Sequence, residues 1–318
     1  MNIIRQIFMG LLLLTMPFCV RAQFSYTSKN GAITITGYSG SGGTVNIPNS
    51  IAGQPVTTIG DSAFFSSSVI TVTFPNSLNS IGNNAFYSCR SLINVTIPDA
   101  VTNVGSQCFW NCISLTNIAI SANLTHIGDA AFAYGYNLKS ITVDGANPAY
   151  ASIGGILFDK NQSELIQSPG ATATNYTVPM GVFSIGIQAF GDCNRLLGVY
   201  FQSNSPAVES TSFTGASRVT VYYLPNMTGW CNSFGGRPAV LWNPLAQSGD
   251  GKFGVQSNQF GFNITGTTNI PMVVVATTNL ANAVWTPLQS CLVTNGSIYF
   301  SDPQYSNFPS RIYRIRSP

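Results

Sequence analysis

The chain repeats itself with a nearly constant period. IGNNAFYSCRSLINVTIP at residues 81–98 returns as VGSQCFWNCISLTNIAIS, IGDAAFAYGYNLKSITVD and IGIQAFGDCNRLLGVYFQ. With Pro98 as marker, equivalent positions fall at Pro48, Pro75, Ser121, Asp144, Pro179, Gln202 and Pro225. Most steps are 23 residues; those to Pro75 and Pro179 are 27 and 35. A sustained period of this length restricts the chain to a stacked architecture, because one unit cannot bury its own apolar face and must borrow a core from its neighbours. The simplest account is a solenoid of eight turns.

Each unit carries its apolar residues at fixed offsets. Leu92, Val95 and Ile97 recur as Leu115, Ile118, Ile120, as Leu138, Ile141, Val143, as Leu196, Val199, Phe201 and as Val219, Tyr222, Leu224. The last two of each set lie two residues apart, the spacing of a strand that buries one face. A small residue followed by Phe, as in Ala85-Phe86, Cys108-Phe109, Ala131-Phe132 and Ala189-Phe190, fills the core from the return side. Glycines at 82, 105, 128 and 186 mark a sharp turn or a close backbone approach. With strands about 4.8 Å apart, the stack reaches roughly 35 Å and needs a lid at each end. Residues 24–48 predict a hairpin over the first turn, with Lys29-Asn30-Gly31 at its tip. Residues 225–242 predict the opposite lid, a short helix capped by Thr228 with Trp230 and Phe234 packing inward. The 35-residue step holds GGILFDKNQSELIQSP, which predicts an embedded hairpin projecting from the coil.

The recurring A-F-x-x-C-x-x-L-x-x-V-x-I-P unit resembles that of the BspA-like leucine-rich-repeat surface proteins, over residues 24–242. The resemblance implies a secreted or cell-surface bacterial protein with adhesion or host-protein binding, and no catalytic residues to carry over. Ser121, Asp144 and Gln202 depart from the family's Pro. The expected fold is mainly β: a leucine-rich-repeat-type solenoid with short helical turns at 23–242, then a small antiparallel β-sandwich at 243–318. The second part is read from strand-like runs such as QFGFNITG, IPMVVVATTN and GSIYFSDP, in which the 23-residue beat has stopped. It is similar to C-terminal modules that follow repeats in exported bacterial proteins, implying either envelope association or glycan binding.

Residues 1–22 read as a secretory signal: Arg5, an apolar run from Ile7 to Leu14, and small residues before Gln23. Their removal leaves 11 basic and 10 acidic residues, too even a balance for a nucleic-acid footprint. Arg311, Arg314 and Arg316 cluster near the end, where charges discourage edge-to-edge pairing. Only 7% of residues are charged, so convergent ionisable groups for catalysis are scarce. His126 is the only histidine and Glu164 and Glu209 the only glutamates, which disfavours a metal centre, a nucleophile-base pair or a carboxylate pair. SGDGKFG at 248–254 lacks the spacing of a phosphate loop and reads as a linker. No enzyme activity, cofactor or metal is expected. Cys89, Cys112 and Cys193 share a repeat slot that also takes Gly135 and Ala216, the pattern of a small buried side chain; a Cys89–Cys112 bridge between neighbouring turns stays open.

The outward strand positions form an uncharged ladder of amides and hydroxyls, including Asn94, Thr96, Asn117, Thr142, Asn175 and Thr177, with Tyr200 and Tyr223 near one end. Threonine suits exposed strand positions for its own reasons, but solenoids use such extended faces for contact. The expected function is non-enzymatic binding of an extracellular protein or matrix by a monomeric, exported or cell-surface chain. The alternative is a carbohydrate-binding protein whose C-terminal module holds glycan on Trp285, Tyr305 or Phe308.

Overall fold

The computed structural model describes residues 23–318; the signal segment expected at 1–22 lies outside the described residues. Each turn of the coil contributes to two parallel ladders. The wider one runs through Gly43–Asn46, Val69–Thr73 and Asn94–Val95, then Asn117–Ile120 and Ser140–Val143. It resumes through Asn175–Val178, Gly198–Phe201, Thr220–Tyr223 and Arg237–Leu241. A narrower ladder on the opposite side joins Gln54–Ile59, Ser80–Ile81, Asn103–Val104 and His126–Ile127. Alternation decides which side chains enter the core: Val72, Val95, Ile118 and Ile141 are buried between the ladders.

The short helical turns expected between the ladders do not form. Among the described residues the only helical segment is a single 3₁₀ turn, Tyr305–Asn307. The return segments around Phe64, Phe86, Phe109, Phe132 and Phe190 instead carry two residues of positive φ that straddle the Phe, such as Asn84 and Ser88 at 54° and 57° and Gln107 and Asn111 at 54° and 58°. These conformations interrupt an α-helix and cost about 1–2 kcal/mol each. Their effect is to send alternate amides sideways. Asn84, Phe86 and Ser88 donate their N–H groups to the carbonyls of Ser106, Cys108 and Trp110 on the next turn, at 2.9, 2.8 and 2.7 Å. Tyr87 and Cys89 donate within their own turn, to Asn84 and Phe86. A helix would spend all these amides on itself, so stacking displaces it.

The same arrangement stacks the repeat phenylalanines. Phe64, Phe86, Phe109 and Phe132 lie 4.8, 5.3 and 5.9 Å apart from ring to ring. Adjacent turns approach so closely at the glycine column that a Cβ on Gly105 would stand 2.5 Å from the backbone nitrogen of Asn83. Alanine has no room there.

The N-terminal lid is the antiparallel hairpin Phe24–Lys29 and Ala32–Tyr38, with Asn30 and Gly31 both at positive φ. The embedded hairpin does not project. Ile156–Asp159 is buried between two halves of the core, with Leu157 in the first and Ile156 and Phe158 in the second. Glu164–Gln167 then takes a place in the narrow ladder beside Ser184–Ile185. The helix expected in the second lid is also absent. Ser233–Phe234 and Arg237–Leu241 form a hairpin whose second strand extends the wide ladder, while Trp230 and Phe234 pack on the core as expected.

Residues beyond the ladder form two antiparallel sheets around one core of Phe262, Ile264, Met272, Val274 and Phe300. One sheet holds Gln259–Thr265 against Ser297–Asp302, Gly254–Gln256 and Leu245–Ala246. The other places Pro271–Thr277 between Thr286–Leu292 and Ile312–Arg316. Tyr200 and Tyr222 of the wide ladder belong to this same apolar cluster, and Trp242 donates its indole N–H to the Pro271 carbonyl at 2.8 Å. The module therefore seats on the end of the coil.

Candidate functional site

The wide ladder presents the expected amide and hydroxyl face over its first turns. Asn94, Thr96, Asn117 and Thr142 are exposed, and the strands carrying Asn117 and Thr142 pair in register through Asn117–Ser140 and Ala119–Thr142. Neighbouring side chains hold one another: the Asn117 amide donates to Thr116 Oγ1 at 3.2 Å, and Thr142 Oγ1 donates to the Ile118 carbonyl at 3.3 Å. Much hydrogen-bonding capacity remains directed at solvent, since an asparagine amide offers two donors and two acceptor sites. Further along, Thr177 is exposed and Asn175 half-buried.

The two tyrosines do not join this face. Tyr200 points outward from its strand but is only 4% exposed, because the C-terminal module covers it. Tyr223 points inward. The strand pairs Val199 with Val221 and Phe201 with Tyr223, a step of 22 residues rather than 23. Val219 still matches Leu196, each donating its N–H to the carbonyl three residues back, so the missing residue falls between Val219 and Val221. Loss of one residue exchanges the two faces of a strand. Tyr222 becomes the outward partner of Tyr200, their rings 4.8 Å apart, and Tyr223 packs against Trp230 at 4.9 Å.

A second column, exposed at Phe65 and half-buried at its other three rings, was not singled out by the repeat pattern. Phe65, Tyr87, Trp110 and Tyr134 stack along the return edge with centroid separations of 5.0, 6.1 and 4.3 Å. Phe65 is 53% exposed, and Ile70 and Ile93, at the entry to the wide strands, are 43% and 41% exposed. The signal in the sequence is the residue after each repeat Phe, which is aromatic at 65, 87 and 110. At the next turn Ala133 takes that place and Tyr134 supplies the ring.

Of the three aromatics considered for glycan, Tyr305 and Phe308 converge on one side of the C-terminal module, whereas Trp285 lies apart, under the Arg314 guanidinium at 5.8 Å. Reactive groups stay scattered. His126 is exposed on the narrow ladder, and among the described residues no three His, Cys, Asp or Glu side chains come together as metal ligands would. Asp159 caps its own turn, accepting from the Ser163 and Glu164 amides at 2.6 and 2.8 Å. Asp61 accepts the Asn83 amide of the next turn at 2.7 Å. The six described cysteines are free thiols. Cys89 and Cys112 each donate to a phenylalanine carbonyl of the preceding turn, Phe64 at 3.0 Å and Phe86 at 3.2 Å. Burial drives the Cys112 thiol well above its ordinary range, and that of Cys193 is pushed up to about 12, so these are packing groups rather than nucleophiles.

The model of the BspA type leucine rich repeat region matches residues 41–166 and 169–233, in 6 copies. The chain belongs to the BspA-type leucine-rich-repeat family. The matched stretches stop short of the two-sheet module, so family membership describes the coil. Among solved structures the chain is similar to a leucine-rich-repeat protein of T. pallidum, at 23% identity, covering 65% of this chain and 86% of that one with a TM-score of 0.41. It is similar also to a leucine-rich-repeat protein from Bacteroides ovatus, at 21% identity, 69% and 75% coverage and a TM-score of 0.35. A leucine-rich cell surface protein from Faecalibacterium prausnitzii is 19% identical over 65% of this chain and 88% of its own, with a TM-score of 0.27. No curated protein matches.

Proposed function

We propose that this BspA-type repeat protein is a non-enzymatic binder that engages an extracellular protein or matrix component through the wide strand face of its first turns. The observation that carries the reading is the exposed, uncharged row of Asn94, Thr96, Asn117 and Thr142 on strands held flat by the coil. Rigid strands fix the spacing of these groups in advance, so little side-chain and backbone entropy is lost on contact. The exposed Ile70 and Ile93 beside the row, and the aromatic column from Phe65 to Tyr134, supply the apolar area that polar groups alone lack. The leader-like residues 1–22 fit export and support a function outside the cell or on its surface.

The test is binding of the purified chain to a panel of immobilised matrix proteins by biolayer interferometry, beside the variant Asn94→Asp/Asn117→Asp/Thr142→Asp. At least one component should bind the parent and lose ten-fold or more with the variant, whose melting temperature should match the parent's. Binding that is indifferent to the three substitutions removes the strand face from the reading, and a panel without any binding removes the matrix.

A further inference from the structure

The C-terminal module contains a feature that packing alone leaves incomplete. Arg311 and Asp302 form an ion pair at 2.7 Å with their side chains only 9% and 4% exposed, the one salt bridge among the described residues. Asp302 is well supplied with donors. Tyr313 donates its hydroxyl to Oδ2 at 2.8 Å, and the Gln304 amide donates to Oδ1 at 3.0 Å. Arg311 is not equally served. Its Nη1 approaches Asp302 but is buried without an aligned hydrogen-bond partner. The guanidinium lies over the Phe308 ring, 4.3 Å from its centroid. A guanidinium carries five N–H donors in one plane, and no hydrogen bond from this one is present. Asp302 balances its charge, while the donors turned away from Asp302 have no partner within the protein and are open to a ligand.

The space for such a ligand is beside it. Arg311, Asp302 and Phe308 line a cleft of about 650 Å³ at the mouth between the two sheets. Thr277, Thr286, Ser301 and Gln304 bring hydroxyl and amide groups to its wall, and Val284 and Pro287 bring apolar surface. On the other side of Arg311 and Phe308, a smaller hollow of about 220 Å³ is lined by Tyr305 and Phe260. The larger volume suits a small ligand of a few rings. Arg311 is the one cation on the cleft wall, and the Asp302 carboxylate beside it is already supplied by Arg311, the Tyr313 hydroxyl and the Gln304 amide, so the donors left for a ligand are those of the guanidinium.

We propose that this mouth is a binding site for an oligosaccharide bearing a uronic-acid carboxylate. Arg311 receives the carboxylate on its free donors, the planar fork matching the two oxygens. The hydroxyl and amide side chains of the wall bond the sugar hydroxyls, and the exposed ring of Phe308 and the half-buried ring of Tyr305 take the apolar faces of adjacent residues. The ligand thus completes the hydrogen bonding that the protein itself leaves open. The site is separate from the strand face of the coil.

The experiment is isothermal titration of the full chain with a tetrasaccharide of galacturonic acid, its methyl ester and tetraglutamate. The free acid should bind at least ten-fold more tightly than the ester, because esterification removes the charge and one acceptor. Arg311→Gln combined with Asp302→Asn, which avoids leaving one charge buried alone, should abolish the difference between acid and ester. Phe308→Ala should weaken the acid several-fold without lowering the melting temperature, and it remains informative if the double variant does not fold. The triple aspartate variant of the strand face should bind the acid as the parent does. Equal binding of acid and ester, preference for tetraglutamate, no binding of the acid, or variants at Arg311 and Phe308 that bind like the parent would each overturn the proposal.

Discussion

The early and late turns of the wide ladder share one alternation of inward and outward residues, yet they meet different surroundings. Around Asn94–Val95 and Asn117–Ile120 the outward row faces solvent. At Gly198–Phe201 every residue is buried, because Tyr200 and Tyr222 lie beneath the two-sheet module and share its core. A strand face becomes a contact surface or an internal seam according to what lies over it. In this molecule the change coincides with two features: the outward residues turn from amide and hydroxyl to aromatic, and one residue is lost between Val219 and Val221. The first makes the face apolar enough to be covered; the second brings Tyr222 rather than Tyr223 to the outside.

Several experiments can break or sharpen this comparison. The largest effect is expected in the inward core that both halves share. Phe109→Ala removes a ring from the middle of the phenylalanine stack and should cost about 4 kcal/mol by urea unfolding. At the covered end, Tyr222→Ala should cost about 3 kcal/mol, against under about 0.5 kcal/mol for Asn117→Ala on the open face. Equal costs at Tyr222 and Asn117 would mean that the module does not seat on the tyrosines in solution.

Alkali should also distinguish coil from module. Burial raises the Cys193 thiol from an ordinary value of 9.0 to about 12, and raises Cys108 further still. Both favour the protonated form in the folded state, so their stabilising effect is complete below pH 9 and is lost as pH rises toward the folded values. From pH 9 to 10 the loss is about 1 kcal/mol for each thiol, about 2 kcal/mol for the two. Replacing both with Ala should make that part of a stability profile measured by urea titration shallower by about 2 kcal/mol, with Cys89 and Cys112 accounting for a remaining slope, and an unchanged slope would exclude Cys108 and Cys193 as contributors. Gly105→Ala, which sets a methyl against the Asn83 amide, should cost about 2 kcal/mol in the coil.

The smallest effect expected is kinetic rather than energetic. A thiol reagent at pH 8 should label Cys231, which is exposed, in advance of Cys291, and should reach Cys89, Cys108, Cys112 and Cys193 only after unfolding. Rapid labelling of Cys112 in the native chain would contradict the packing of its slot.

Much of the coil was legible because its information is local and repeated. Val95, Ile97 and Phe86 are buried in their own turn, and the same offsets bury Ile118, Ile120 and Phe109 in the next. Small residues at 89, 112, 135 and 193 likewise announced a confined slot. The return segments were harder to read. Nothing in Asn84 or Ser88 as residue types excludes a helix; positive φ there follows from amides that bond sideways to another turn. Of the candidate contact residues, Asn94, Thr96, Asn117 and Thr142 emerged on the open face as alternation requires. Tyr223 did not, since a single missing residue within a strand is invisible when the period is counted from the proline that follows it.

The sequence by itself determined the stacking, the inward residues and the scarcity of reactive groups, because each depends on residue type and spacing within one 23-residue unit or between adjacent ones. Only the tertiary structure decided where the open strand face ends and where Arg311 meets Asp302, Phe308 and the mouth between the sheets. The physical reason is common to both: burial and hydrogen-bond satisfaction belong to groups brought together from distant parts of the chain, and no periodicity encodes them.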